Sequence, residues 1–582
     1  MNAQSSAEIF HHPELDRIYQ KIKISPSQPR TLKHRQLISV LQRLRREHPD
    51  VFQLTLMGKS VEGREIYLVT IGRGARTVMM WSQMHGNEPI ATNALLDIFS
   101  YLLQNGDQPF VQDILQKTTL YFIPMLNPDG VEYDQRRNAQ GIDLNRDARE
   151  LATPEARILK ATRDRLRPEF GFNLHDQNGR RTVGDTNKIV SIALLVPPID
   201  AEETMTPAVL DAHRIASVMR SALTPFIDGH IARYDAGFMP RAFGENIQIA
   251  GTRTVLLESG GWYEDEAPFL VKMNFIAILE ACHAIATESY QHADPDYYRS
   301  LPQNDQELFD LLVQNALIYD GIREQPFIGD IGINYTETPV ADGFITRGRI
   351  TDIGDMSAFT AKEIIDAEGM IVLPGLIGSV TDAKSQQILD GNNAQYYLKR
   401  GYTTLALPYR LHDQQPLRQI IAKLRHRDTA LNLGFVVSLA ELADFPVTEQ
   451  ATFLGDALFD GALAVVGNQE DCEHLHPLTL RIIAWLNRRQ IGMNEFVSDK
   501  GWPELFAQRI FHATHRRAQA LGLHERGQIR IGDFADLVIY RCADKTNLNC
   551  DQQPDYVLIN GKIAFAKSAS AKSTAAGTLL VR

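Results

Sequence analysis

Three short apolar runs in the first half of the chain each stop on a group able to bind a metal or move a proton. Thr77-Val78-Met79-Met80-Trp81-Ser82 leads to His85-Gly86-Asn87-Glu88, Phe170-Gly171-Phe172-Asn173-Leu174 ends on His175, and Thr254-Val255-Leu256-Leu257 ends on Glu258. Apolar runs of this length, without polar alternation, read as strands covered on both faces of a sheet. After Glu88 come Pro89 and then Ile90, Ala94, Leu95, Ile98, Phe99 and Leu102 at helical spacing, with Pro89 suited to a first turn. Strand followed by helix is α/β order, and in open α/β sheets ligands gather at the carboxyl ends of the strands. The expected fold class is therefore α/β, with His85, Glu88, His175 and Glu258 along one rim.

Each group is weak evidence alone. With 17 histidines, about one His-x-x-Glu arises by chance, and a lone histidine at a strand end is more often structural. An acid leaving an apolar strand is costly unless something pairs with it. An imidazole and a carboxylate three residues apart can begin a zinc site. Further along, Leu120-Tyr121-Phe122-Ile123-Pro124 delivers the turn tetrad Asn127-Pro128-Asp129-Gly130. The loop Arg136 to Arg146 then interleaves arginines, asparagines and Asp143 with Ile142 and Leu144, which a merely solvated loop does not need.

The 582 residues suffice for roughly two to four domains. A net charge of −11 without a long basic run excludes a nucleic-acid partner, and Arg43, Arg45 and Arg46 read as a solvated helix face. Cys282, Cys472, Cys542 and Cys550 are scattered, so neither a disulfide framework nor a thiolate zinc site is expected. Met1 to Gln20 is polar, and no stretch is read as long enough to cross a membrane. The expectation is a cytoplasmic protein with no membrane partner.

Taken in order, Gly58-Lys59-Ser60 with Glu62-Gly63-Arg64, His85-x-x-Glu88, Asn127-Pro128-Asp129-Gly130, Arg136, Asp143-x-Asn145-Arg146, His175 and Glu258 resemble the zinc carboxypeptidase family over about residues 10–290. The resemblance implies a mixed open sheet with helices on both faces and one zinc ion held by His85, Glu88 and His175. It implies Glu258 as general base and Arg136 as the arginine facing the developing oxyanion. Asn145 and Arg146 match the grip on a substrate's terminal carboxylate, and Asp143 the acid that orients a zinc-bound histidine, here His85. The sequence departs from the family in Asn87, which stands where an arginine is usual and is also the spelling of related deacylases. Tyr234 is the candidate for the tyrosine that closes over substrate, at an unusual spacing. In the specificity region Arg241 could read an acidic side chain and Glu245 a basic one.

Residues 291–310 are polar, with Asp294-Pro295-Asp296, and read as a linker. The remainder, 311–582, resembles the amidohydrolase superfamily at its two ends, 311–378 and 518–582, which implies a small β-sandwich. Its middle, 379–517, is too short for a full (β/α)₈ barrel, typically about 200 residues or more, and reads as a truncated α/β barrel-like part. Val380 and Asp382 stand where that family has a His-x-His metal pair, and Asp499 has no histidine partners. His474 and His476 beside Pro477 read as a loop, and His512 and His515 as a solvated helix face. The second half is thus expected to lack metal and to shape access or support a homo-oligomer.

The function expected is a zinc metallocarboxypeptidase acting on peptides with a free C-terminal carboxylate. The alternatives are a zinc amide hydrolase for N-acyl amino acids or cell-wall-derived peptides and, in another class, a non-catalytic binding scaffold.

Overall fold

The computed structural model describes residues 10–234, 237–263, 266–304, 307–323, 325–340, 343–357, 359, 361–380, 387–389, 394–409, 416–424, 429–460, 462–466, 475, 479, 510–541, 553–567 and 579–580. Asp382, Cys472, His474, His476, Asp499, Cys542 and Cys550 lie outside the described residues. The chain divides into two compact units, 1–308 and 309–582.

The first unit is built on eight strands: β1 Gln53–Lys59, β2 Glu65–Gly72, β3 Arg76–Trp81, β4 Thr118–Ile123, β5 Phe170–Asp176, β6 Ile192–Leu195, β7 Ile231–Arg233 and β8 Arg253–Ser259. They lie in the order β1-β2-β4-β3-β5-β8-β6-β7. The pairs β3–β4, β3–β5, β5–β8 and β6–β7 are parallel, and β1–β2, β2–β4 and β6–β8 antiparallel. The sheet is mixed, and β3, β5 and β8 lie side by side in it, each pointing its carboxyl end the same way.

The helices that pack around the sheet include α1 Pro13–Ile22, α2 His34–Glu47, α3 Ile90–Gln104, α4 Pro109–Lys117, α5 Pro154–Leu166, α6 Pro207–Ile227, α7 Phe243–Ile249, α8 Glu266–Thr287 and α9 Pro295–Arg299. Their starts follow local chemistry. Thr153 and Thr206 accept from the backbone N–H groups of Ala156 and Val209, and a proline follows each cap. One face of the sheet buries Val78, Met80, Phe170, Phe172 and Val255 against α3, α6 and α8. The other buries Met79, Trp81 and Ile123 against Ala156 and Leu159 of α5 and Phe243 and Ile247 of α7. Both faces are covered, as unalternated strands require.

Two expectations are corrected here. Ala267–Thr287 is by length and composition apolar enough to cross a bilayer, but 83% of its most apolar window is buried inside the protein; it is the core helix under the sheet, lined by Leu270, Met273, Phe275 and Leu279. The stretch read as a linker, 291–310, is folded onto the first unit over much of its length. Asp294, Asp296 and Arg299 face out, while Ala293, Tyr298 and Leu301 join the main core and the Pro302 carbonyl accepts from the Arg233 N–H at 2.7 Å.

In the second unit, strands β9 Phe309–Ile318, β10 Phe327–Val340, β11 Gly343–Gly354, β12 Ala361–Asp366 and β13 Met370–Pro374 share one eight-stranded sheet with β18 Leu537–Arg541, β19 Tyr556–Ile559 and β20 Lys562–Ala566. The two ends of the half meet where β13 pairs antiparallel with β18. Between them β14 Leu376–Ser379, β15 Tyr402–Tyr409, β16 Asn432–Ser438 and β17 Ala464–Val466 run parallel in order. Four such strands are half of a closed (β/α)₈ barrel. Val380 follows β14 and packs against apolar neighbours, as a side chain without a ligand atom does.

Candidate metal centre

β3 ends at Trp81 and the chain turns through His85 to Glu88 before α3 begins. That turn rests directly on the Asn127–Gly130 tetrad: a Cβ added at Gly86 would lie 2.0 Å from the Gly130 carbonyl carbon, so no larger residue fits there. Asn127 is fully buried; its Oδ1 accepts from Gly130 N, and its Nδ2 donates to the carbonyls of Met84 and Arg136. One amide thereby ties the His85 turn to the backbone that presents Arg136. Asp129 works one layer further out, accepting from Ser60 Oγ at 2.7 Å, Glu62 N at 2.9 Å and Arg64 Nη1 at 2.6 Å. The Gly58–Arg64 motif is scaffold for the turn.

At the rim, His85 Nδ1 lies 2.7 Å from Glu88 Oε1 and His175 Nδ1 lies 2.8 Å from Glu88 Oε2. Ligand atoms of His85, Glu88 and His175 all fall within 4.8 Å of one another, and all three residues are buried. Two imidazoles and one carboxylate form the donor set of an open His₂Glu zinc site. His85 Nε2 meets Asp143 Oδ1 at 3.0 Å, the carboxylate–histidine contact that orients a metal ligand. His85 Nδ1 is approached both by the Glu88 oxygen and, at 3.1 Å, by the N–H of Arg136 Nη1. One nitrogen cannot serve an acceptor and a donor together, and a cation shared by His85 and Glu88 removes the conflict. The residues fit a zinc ion.

The electrostatics agree. Burial resists charging Glu88, but His85 and His175 outweigh it and bring the carboxyl down to about 2. Burial likewise opposes charge on His85, yet Glu88 and Asp143 hold this imidazole above its ordinary value. In His175 burial wins and the pKa falls. Asp143 lies below the usual range because His85 and Arg136 overcome its burial.

Glu258 sits opposite His175 in the β5–β8 register, is 7% exposed, and leaves its Oε2 without a hydrogen-bond partner. Burial first, then Glu88 and Asp176, raise its pKa well above the ordinary value. Arg136 reaches in from its loop, donating to Glu88 Oε1 at 3.2 Å and to Asp143 Oδ2 at 3.1 Å. Asn145 Oδ1 accepts from Phe243 N at the start of α7. Arg146 Nη1 donates to the Asn145 carbonyl, and the guanidinium has no carboxylate partner among the described residues. Tyr234 follows β7 and is partly buried; burial raises its pKa, with Glu258 adding to the rise and Arg136 opposing it. Of the two specificity candidates, Arg241 is exposed and donates to the Arg146 carbonyl, whereas Glu245 is 4% exposed and pushed up to about 6 by burial.

Asp176 was not singled out from sequence. Its Oδ2 accepts from Ile90 N at the start of α3, and burial, with Glu88 adding, pushes its pKa up to about 8. The available signal was its place directly after His175 at a strand exit.

Residues 37–174 match the sequence model of the family described as zinc carboxypeptidase. The first unit contains a zinc carboxypeptidase domain. The match ends one residue before His175, so His175 and Glu258 join the centre through the geometry above. Among curated relatives, carboxypeptidase D of Mus musculus is 33% identical over 141 residues, which cover 21% of this chain and 10% of that protein. The chain thus spans about a tenth of that relative's length. A metallo-carboxypeptidase structure from Burkholderia cenocepacia aligns with a TM-score of 0.36 at 17% identity, covering 44% of this chain and 69% of that one. A D-aminoacylase structure, described as defining a subset of amidohydrolases, aligns with a TM-score of 0.36 at 14% identity over 47% of this chain and 100% of that one.

Proposed function

We propose that the protein is a zinc-dependent metallocarboxypeptidase that removes the C-terminal residue of peptides. The observation that carries this reading is the convergence of His85, Glu88 and His175 beside Glu258, a buried carboxylate with one unpartnered oxygen. His85, Glu88 and His175 would hold a zinc ion, whose Lewis acidity would lower the pKa of a water and polarise the scissile carbonyl. Glu258 takes the proton of the attacking water and passes it to the leaving amine. Arg136 directs N–H donors at the oxygen on which charge develops. Arg146, aided by Asn145, binds the free carboxylate, since a planar guanidinium suits it bidentately. Tyr234 closes over the bound residue.

The Arg146→Ala variant tests the exopeptidase part. Its KM for free-carboxylate peptides rises by about 100-fold, and C-terminally amidated peptides are handled as by the unmodified protein. Equal effects on both would remove Arg146 from the carboxylate grip.

Asn87 in the His85–Glu88 turn favours a second reading, an amide hydrolase for N-acyl amino acids or cell-wall-derived peptides using the same residues. Dipeptides and N-acyl amino acids assayed side by side separate the two. A non-catalytic scaffold fits less well, because every donor and the base are in place. A metal-free, amidohydrolase-like second unit that supports a homo-oligomer, and a cytoplasmic location, belong to this proposal.

A further inference from the structure

Past the edge strand β7 the first unit holds a second concavity, of about 310 Å³, at the small end of ligand pockets (~300–1,000 Å³). Leu195, Met205 and Val209 give it apolar walls. Two opposite charges also line it, Arg233, half-buried, and Glu203, exposed on the loop before α6. Neither side chain has an ion-pair partner among the described residues. The neighbouring Arg299 is by contrast paired with Asp296. Tyr298 lines the same pocket, and burial pushes its phenol up to about 12, with Arg233 opposing and Glu203 adding. They face the same space without meeting.

His213 of α6 lines the pocket as well. It is 9% exposed, and its Nδ1 is buried with no hydrogen-bond partner. Burial, helped by Arg299 and Arg233, holds its pKa down at about 4, so the ring is neutral near pH 7. An unpaired buried polar atom in a folded protein calls for an explanation, and a pocket that is filled in use supplies one.

A guanidinium and a carboxylate across an apolar pocket complement a ligand that is anionic at one end, cationic at the other and aliphatic between. We propose that this pocket binds a free α-amino acid, with its carboxylate on Arg233, its ammonium on Glu203 and its side chain against Leu195, Met205 and Val209. Tyr234 lines the same pocket, so occupancy bears on the residue assigned to close over substrate. The residue released by a carboxypeptidase is such a zwitterion, which makes this a product site acting on turnover. That last step rests on the proposed function; the binding itself does not.

Isothermal titration of L-leucine into the full-length Arg146→Ala variant tests the site with the proposed carboxylate grip disabled. L-leucine binds, and L-leucinamide and N-acetyl-L-leucine bind about tenfold more weakly or worse, each having lost one charge. Adding Arg233→Ala or Glu203→Gln weakens L-leucine by about tenfold or more, and Arg233→Lys, which keeps the charge and serves if the alanine variant does not fold, retains part of the affinity. The proposal is overturned if L-leucine binds the unmodified protein but not Arg146→Ala, if Arg233→Ala and Glu203→Gln leave binding unchanged, or if no binding is detected up to about 10 mM. A protein that binds L-leucine through Arg233 yet cleaves no peptide contradicts the proposed function and leaves this inference standing.

Discussion

Replacing Glu258 by Gln lowers turnover of C-terminal peptide substrates by about 10³-fold or more while zinc content stays unchanged. General acid–base groups contribute typically about 10²–10⁴-fold, and this residue serves twice in the proposed cycle. The amide of Gln has nearly the same shape, so the β5–β8 register that sets it beside His175 is preserved. Glu258 is not one of the three clustered ligands, so metal binding does not depend on it. The variant melts at the same temperature as the parent, which separates loss of chemistry from loss of fold. A variant that keeps full turnover removes Glu258 from the mechanism.

The largest stability effect falls in the second unit. Arg526, 4% exposed, pairs with Asp536, donates to Asn560 Oδ1 at 2.7 Å, and lies over the Phe534 ring at 4.2 Å. Asp536 also accepts from Asn432 Nδ2 at 3.0 Å and Asn560 N at 2.8 Å, and Asn560 Nδ2 donates to Asn432 Oδ1. Asn432 opens β16 of the parallel sheet, while Asp536 precedes β18 and Asn560 follows β19 in the other sheet, so this cluster fastens the two sheets together. Arg526→Met leaves Asp536 charged, buried and missing its cation, a change that costs about 3–5 kcal/mol where such pairs are broken. The lost stability reads out as a lower denaturation midpoint for the second unit. Adding Asp536→Asn recovers a large part, because the uncompensated charge is then gone. An unaltered midpoint for Arg526→Met contradicts this assignment of the cluster.

The strand leading to His85 and the strands carrying His175 and Glu258 were legible because a strand covered on both faces has to be apolar along its whole length, and each run stops where chemistry begins. Gly86 and Asn127 were visible as motif letters, but their work was not: the backbone contact with Gly130 and the amide bridge to Arg136 exist only once distant turns meet. The 291–310 stretch misled because Asp294, Pro295 and Asp296 dominate its composition, while the few residues that anchor it, Tyr298 and Leu301, are too sparse to make a pattern. Ala267–Thr287 shows the converse. Its apolar length became informative only when the fold showed how much of it is buried. The unpaired Arg233 and Glu203 lie thirty residues apart in sequence, on a loop and a strand end, and no spacing rule connects them.

Metal analysis of the purified chain, after equilibration with zinc and removal of the free ion, shows whether His85, Glu88 and His175 hold one ion together. The expected result is one zinc per chain, lost on His175→Ala and retained in Glu258→Gln. A chain that holds no stoichiometric zinc, or one whose zinc survives His175→Ala, contradicts it.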